Sequence, residues 1–153
     1  MNATSIYDKF RVSTVINAVG PVTRLGGSAV DSDVAGVMAE AAQYCVDIGE
    51  LQGRASELIS ELTSAEAGIV TSGASAGLLL ASAACLAGMN FLKMSQLPDT
   101  AGMRNEIIVP RIQRNSYDHA VRAAGARLID VGCSDTAGNI GSCDTEAWEL
   151  RSA

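Results

Sequence analysis

From Ile69 to Leu92 the chain runs without a single Asp, Glu, Lys or Arg. An uncharged stretch of that length either crosses a bilayer, which takes about 20 apolar residues, or is buried in a folded domain. Its internal order decides between the two. It opens on a β-branched run, Ile69-Val70-Thr71, passes through a turn of small residues, Ser72-Gly73-Ala74-Ser75, and continues rich in Ala and Ser rather than Leu. A turn in the middle suits a domain interior and not a membrane span, so the order predicts strand, turn and buried helix.

The residues that follow repeat the theme. Strand Gly68–Ser72, helix Ala74–Ala87, strand Glu106–Pro110, helix Ser116–Ala124 and strand Arg127–Val131 alternate. Alternation of this kind specifies an α/β fold, a mostly parallel sheet with helices on both faces. Between them lies Gly88–Asn105, which shows no period and is read as an irregular stretch of the kind that carries function. Upstream, Ser13–Val19 reads as extended and Gly20–Ser28 as a loop. Asp31 or Ser32 then caps a helix whose stripe is Val34, Val37, Met38, Ala41, Ala42 and Cys45. Gly49 is expected to end it. A second amphipathic helix from Glu50 puts Leu51, Ala55, Leu58, Ile59 and Leu62 on its apolar face. The organisation expected is an N-terminal segment and loop over 1–30, two amphipathic helices over 31–64, and part of an α/β domain over 65–153. Asp144 or Thr145 can cap a last helix that runs to Ala153 with no stop signal, and the expectation is the front part of a longer chain.

Composition narrows the partners. With 11 Lys+Arg against 17 Asp+Glu the net charge is −6, so nucleic acid and anionic membrane surfaces are disfavoured. Charged residues are 18%, against about 25% in average chains, which implies surface that something else covers. Aromatics are 4%, so the core must be built from Ala, Val, Ile and Leu. Cys45, Cys85, Cys133 and Cys143 form no C-x-x-C pair and His119 is the lone histidine. No metal site is expected, and the thiols are read as reduced and mostly buried. Met1–Arg11 carries no leader pattern, which places the chain in the cytoplasm by default.

Chemistry concentrates in two places. Ser72, Gly73, Ala74 and Ser75 lead straight into a helix, whose first amides lack intrahelical partners and carry the positive end of the dipole. With no bulky side chain in the way, a phosphate fits there. The second place is Arg111–His119, at the C-terminal edge of a parallel strand, where open α/β sheets bind ligands. Arg24, Arg111 and Arg114 are candidates for a substrate carboxylate or phosphate, and a surface ion pair is the alternative for each. His119 falls within a helix. The only lysines, Lys9 and Lys93, stand away from the phosphate turn, so no catalytic amine is expected among these residues.

Four motifs together, Val15–Ser28, Asp47–Gln52, Ala65–Gly77 and Arg114–Arg122, resemble the pyridoxal-phosphate (PLP) enzymes related to bacterial selenocysteine synthase. Within that group the similarity is to the D-glucosaminate-6-phosphate ammonia-lyase branch, and it runs from about Val15 to Val131, the front part of a member. The resemblance implies the aspartate-aminotransferase-type (fold type I) large domain. It implies that Ser72, Gly73, Ala74 and Ser75 hold the cofactor phosphate, and that Gln113 and Asn115 border its ring. Relatives often place a stacking histidine there; here Gln113 or Arg114 takes that place and His119 does not. The Schiff-base lysine is expected beyond Ala153, so this chain alone is expected to be inactive. Thr23-Arg24-Leu25-Gly26-Gly27 departs from the His-Thr-Asn-Leu-Gly-Arg pattern of the selenium transferases.

The reaction the resemblance implies starts from a 2-amino-3-hydroxy sugar acid. The substrate loses its Cα proton and then its β-hydroxyl, with the pyridoxal ring as electron sink, and hydrolysis gives a 2-oxo-3-deoxy acid and ammonia. The substrate is a small amino acid or amino sugar acid, and the assembly a homodimer or larger homo-oligomer. Selenium transfer on seryl-tRNA, another PLP transferase reaction, and a non-catalytic phosphate-binding or interaction module are the alternatives.

Overall fold

The computed structural model describes residues 5–132 and 145–152. The chain divides into two compact units, Met1–Ile48 and Gly49–Ala153.

In the first unit, Ile6–Phe10 forms a 3-10 turn closed by a capping box between Ser5 and Asp8. A second 3-10 turn, Thr23–Leu25, ends at the left-handed Gly26 and is bracketed by an antiparallel bridge between Val22 and Gly27. Asn17 ties this loop together. Its Nδ2 donates to the carbonyls of Gly20 at 2.8 Å and Gly27 at 3.2 Å, and its Oδ1 accepts from the Val19 amide at 3.0 Å. Helix α1 spans Ser32–Ala41, with Asp31 as its cap accepting from the Asp33 amide at 2.9 Å. It stops short of Cys45, and its apolar stripe is exposed: Val34, Val37 and Met38 all face solvent. No described residue of this unit is buried.

The second unit is built on a two-stranded parallel sheet, β1 (Glu106–Pro110) and β2 (Arg127–Val131), in register Glu106↔Arg127 through Pro110↔Val131. The crossover carries a 3-10 turn, Arg111–Gln113, and helix α5 (Asp118–Ala123). Ahead of it come α2 (Ile48–Thr63), α3 (Ala74–Ala87) and α4 (Phe91–Gln96), and α6 (Ala147–Ser152) follows. Helix α3 packs on α5, and α5 on β2. Leu86, Ala124 and Ala126 form the centre of the core, with Ala83, Leu97, Ile107 and Val121 packed around them. The core is built from the Ala, Val, Ile and Leu that the scarcity of aromatics called for. Gly125 closes this region: at φ +96 it stands so near the 97–100 loop that a Cβ would come within 2.2 Å of the Pro98 carbonyl oxygen.

Several expectations are corrected. Gly49 does not end the first helix: α1 already stops at Ala41, and Gly49 lies in the first turn of α2, which begins at Ile48 rather than Glu50. Gly88–Asn105 holds α4, whose cap Asn90 accepts from the Leu92 and Lys93 amides at 3.0 and 3.2 Å. The helix expected over Ser116–Ala124 is shorter, Asp118–Ala123. Cys45 and Cys85 are exposed rather than buried, because the core is confined to the α3–α5–β2 contact; Cys133, Cys143 and the possible cap Asp144 lie outside the described residues. Among those residues no helix is long and apolar enough to cross a membrane.

The segment Gly68–Ser72 is not a strand. Among the described residues no strand lies beside it, and α2 satisfies its backbone instead. Gln52 Nε2 donates to the Val70 carbonyl at 2.7 Å while its Oε1 accepts from the Val70 amide at 3.1 Å. Ser56 Oγ accepts from the Gly68 amide at 3.0 Å, and Ser60 Oγ reaches the Glu66 carbonyl at 3.4 Å. Spacing of four puts the three side chains on one helix face, and Ile59 sits among them against Gly68. The face of α2 that packs is therefore Gln52, Ala55, Ser56, Ile59 and Ser60, while the expected contacts Leu51, Leu58 and Leu62 are exposed.

Candidate functional site

The turn Ser72-Gly73-Ala74-Ser75 delivers the chain into α3 through Gly73, whose φ of +130° and ψ of 171° suit a residue without a Cβ. No side chain caps the helix. Its first internal bond runs from the Gly77 amide to the Gly73 carbonyl at 3.0 Å, so the amides of Ala74, Ser75 and Ala76 precede the helical ladder. Thr71 Oγ1 donates to the same Gly73 carbonyl at 3.0 Å and fixes the turn from its other side. A Cβ placed on Gly73 would meet nothing within 4 Å. Orphan donors, positive dipole end and open approach together make a cradle that fits a phosphate. The donor set therefore agrees with a phosphorylated cofactor.

The second group gathers where β1 ends. Arg114, at the end of the Arg111–Gln113 turn, is held from two sides: its Nε donates to Asp118, four residues on, and its Nη1 to Asp130 on β2. Bonding to Asp118 first and Asp130 second raises the Arg114 pKa. The Asp118 carboxyl is lowered in turn, chiefly by the Arg114 bond. Arg111 is half-exposed and only approaches Asp130, with its Nε 3.8 Å from Oδ2. Asn115 spends its side chain on its own turn, with Nδ2 donating to the Gln113 carbonyl at 2.9 Å and Oδ1 accepting from the Tyr117 amide at 2.8 Å. Gln113 itself is exposed.

The structure thus brings Arg111, Gln113, Arg114 and Asn115 to one edge of the sheet, and Ser72, Gly73, Ala74 and Ser75 to one turn. Arg24 belongs to the first unit, in the Thr23–Leu25 turn. His119 stands in the first turn of α5 with Nδ1 3.1 Å from Arg122 Nη2; a guanidinium only donates, so Nδ1 accepts. Lys9 lies in the N-terminal 3-10 turn and Lys93 in α4.

Three participants escaped the sequence reading. Asp118 was signalled by its four-residue spacing from Arg114, and Asp130 by a lone charge in Leu128-Ile129-Asp130-Val131. Nothing local marks Gln52 as a partner of Val70, eighteen residues away. A hollow of about 540 Å³ is lined by Met103, Arg104, Asn105, Glu106 and Ile108 at the start of β1, and none of its lining residues belongs to either group.

No family model matches the chain. It is 35% identical over 153 residues to D-glucosaminate-6-phosphate ammonia lyase of Salmonella typhimurium, covering 97% of this chain and 39% of that enzyme. It is 33% identical over 134 residues to a Streptomyces 5'-C-glycyluridine monooxygenase-decarboxylase, covering 84% of this chain and 34% of the relative. A solved structure of D-glucosaminate-6-phosphate ammonia-lyase superposes with a TM-score of 0.89 at 34% identity, over 100% of this chain and 40% of that one. The chain spans less than half the length of the relatives it matches. The chain is similar in sequence to D-glucosaminate-6-phosphate ammonia lyase over the part of that enzyme it matches, and its fold is that of the matching part of the solved ammonia-lyase structure.

Proposed function

We propose that this chain is the cofactor-phosphate-binding portion of a cytoplasmic PLP-dependent lyase that releases ammonia from a 2-amino-3-hydroxy sugar acid of the D-glucosaminate 6-phosphate type, giving a 2-oxo-3-deoxy acid. The observation that carries the reading is the uncapped head of α3 behind Gly73, in a chain similar to that lyase over 97% of its length.

In this reading the amides of Ala74, Ser75 and Ala76 donate to the phosphate oxygens, and Ser72 and Ser75 flank them. When bound, PLP supplies an electron sink for the negative charge that develops at the substrate Cα. Gln113 borders the ring, and Asn115 shapes the loop that presents it. Arg114 already serves two carboxylates, so its work is to fasten this loop to β2. Arg111 keeps the capacity to receive an anionic group of the substrate, and Arg24 is the corresponding candidate in the first unit. The cofactor-binding lysine comes from residues outside these 153, and the chain by itself does not turn over. Exposed apolar residues such as Met89, Phe91 and Leu92 are covered in the whole enzyme by its remaining part or by a second subunit of a homo-oligomer.

Two relatives with different reactions in their names match at similar identity, 35% and 33%. That supports a portion whose task is holding the cofactor and the amino-acid end of the substrate rather than choosing the reaction. The test is to give the complete enzyme containing this chain PLP and D-glucosaminate 6-phosphate. Ammonia and a 2-oxo acid in equal amounts support the lyase. Oxygen consumption with CO2 release and no 2-oxo-3-deoxy acid would reassign it to a decarboxylating oxygenase like the Streptomyces relative.

A further inference from the structure

We infer that Gln52 is a positioning residue for the phosphate cradle, acting from α2 as a one-residue substitute for a neighbouring strand. The inference rests on the reading of the α3 head as a phosphate site. A carboxamide carries the same donor and acceptor as a peptide group. Gln52 uses both, at 2.7 and 3.1 Å, on the carbonyl and amide of a single residue, Val70, as an antiparallel strand residue does in a hydrogen-bonded pair. From Val70 the constraint passes along a short chain. Thr71 follows it directly, and Thr71 Oγ1 grips the Gly73 carbonyl at 3.0 Å. That carbonyl also accepts the first helical bond, from the Gly77 amide at 3.0 Å. The direction of the Ala74, Ser75 and Ala76 amides is set by the Gly73 peptide, so what holds Val70 aims the donors.

Position on the helix makes the assignment specific. Ser56 and Ser60 anchor the earlier residues Gly68 and Glu66, where the chain only enters. Of the three, Gln52 holds the residue closest to the turn, Val70, two residues before Ser72. It is a positioning residue because it acts through Val70, ahead of the Ser72–Ser75 turn, and not on the phosphate itself.

The experiment follows the backbone amides of the isotope-labelled 153-residue chain by NMR during titration with inorganic phosphate, PLP and pyridoxal, for the native chain, Gln52→Leu and Gln52→Glu. In the native chain the Ala74, Ser75 and Ala76 amides shift with phosphate and PLP and stay still with pyridoxal. Gln52→Leu loses both bonds and weakens phosphate about tenfold, while Gln52→Glu keeps the acceptor for the Val70 amide and weakens it less. If Gln52→Leu fails to fold, by loss of its helical circular dichroism, Gln52→Glu against the native chain decides. Native-like phosphate affinity in the folded variants overturns the role of Gln52 and leaves the cradle standing. Failure of the native amides to respond to phosphate overturns the cradle reading and this inference with it.

Discussion

Replacing Gly68 by Ala tests the contact that seats the approach to the phosphate turn on α2. A Cβ there would stand 2.5 Å from Ile59 Cγ2, 2.7 Å from Cβ and 2.9 Å from Cδ1. Carbon atoms pack comfortably at about 3.5–4.0 Å, so roughly 1 Å must be found, against a β-branched side chain with one strongly preferred rotamer in a helix. Overpacking of this kind costs about 1–3 kcal/mol, and the stiffer unfolded chain returns about 0.4–1 kcal/mol. The net expectation is destabilisation of about 1–2 kcal/mol, read as a urea midpoint lower by about 0.5–1 M in far-UV circular dichroism. Gly53→Ala on the same helix is the control, because a Cβ at Gly53 meets nothing within 4 Å. It should stabilise by about 0.5–1 kcal/mol. Combining Gly68→Ala with Ile59→Ala removes two of the three close atoms and should cost less than the sum of the single changes. A Gly68→Ala chain that gains stability as Gly53→Ala does, or strict additivity with Ile59→Ala, would refute the contact.

The remaining predictions concern the sheet edge and the core. The Asp118 carboxyl should titrate below the usual aspartate range because Arg114 bonds it, and Arg114→Gln should move its midpoint back up in a carbon-13 NMR titration; an unmoved midpoint contradicts the pairing. A carboxyl lowered in the folded state supports the fold above its unfolded pKa, and that support is lost as pH falls through the folded value. The acid limb of unfolding should therefore lose part of its pH dependence in Arg114→Gln. Gly125→Ala combines a left-handed φ of +96° with an approach of 2.2 Å to the Pro98 carbonyl oxygen, and should cost about 2–5 kcal/mol in the same urea assay.

The parts legible in the sequence were those fixed by local chemistry. Helix Ala74–Ala87 and strands Glu106–Pro110 and Arg127–Val131 have the bounds their residues announce. Gly73 and Gly88 bracket the helix, and the apolar runs Ile107-Ile108-Val109 and Leu128-Ile129 mark the strands. Helix α4 was also there to be read from Asn90 before Phe91-Leu92, but six residues give too little period to stand out. What stayed hidden depends on partners distant in sequence. Gly68–Ser72 has strand composition, yet a strand exists only as a pair, and Gln52 took the partner's place. The packed face of α2 keeps Ala55 and Ile59 from the expected apolar stripe and differs in the rest for the same cause. Leu51, Leu58 and Leu62 make the apolar period, while Gln52, Ser56 and Ser60 find hydrogen-bond partners that a hydropathy pattern cannot see. At the candidate site the phosphate turn was visible because its backbone chemistry is local. The engagement of Arg114 by Asp130 was not, since it spans sixteen residues and two elements.

The central claim is that the α3 head holds the cofactor phosphate. A crystal structure of the complete enzyme with PLP tests it most directly. The account predicts phosphate oxygens about 2.7–3.2 Å from the amide nitrogens of Ala74, Ser75 and Ala76, with Arg114 still on Asp118 and Asp130. A phosphate held instead by Arg111 or Arg114, away from Gly73, would contradict it.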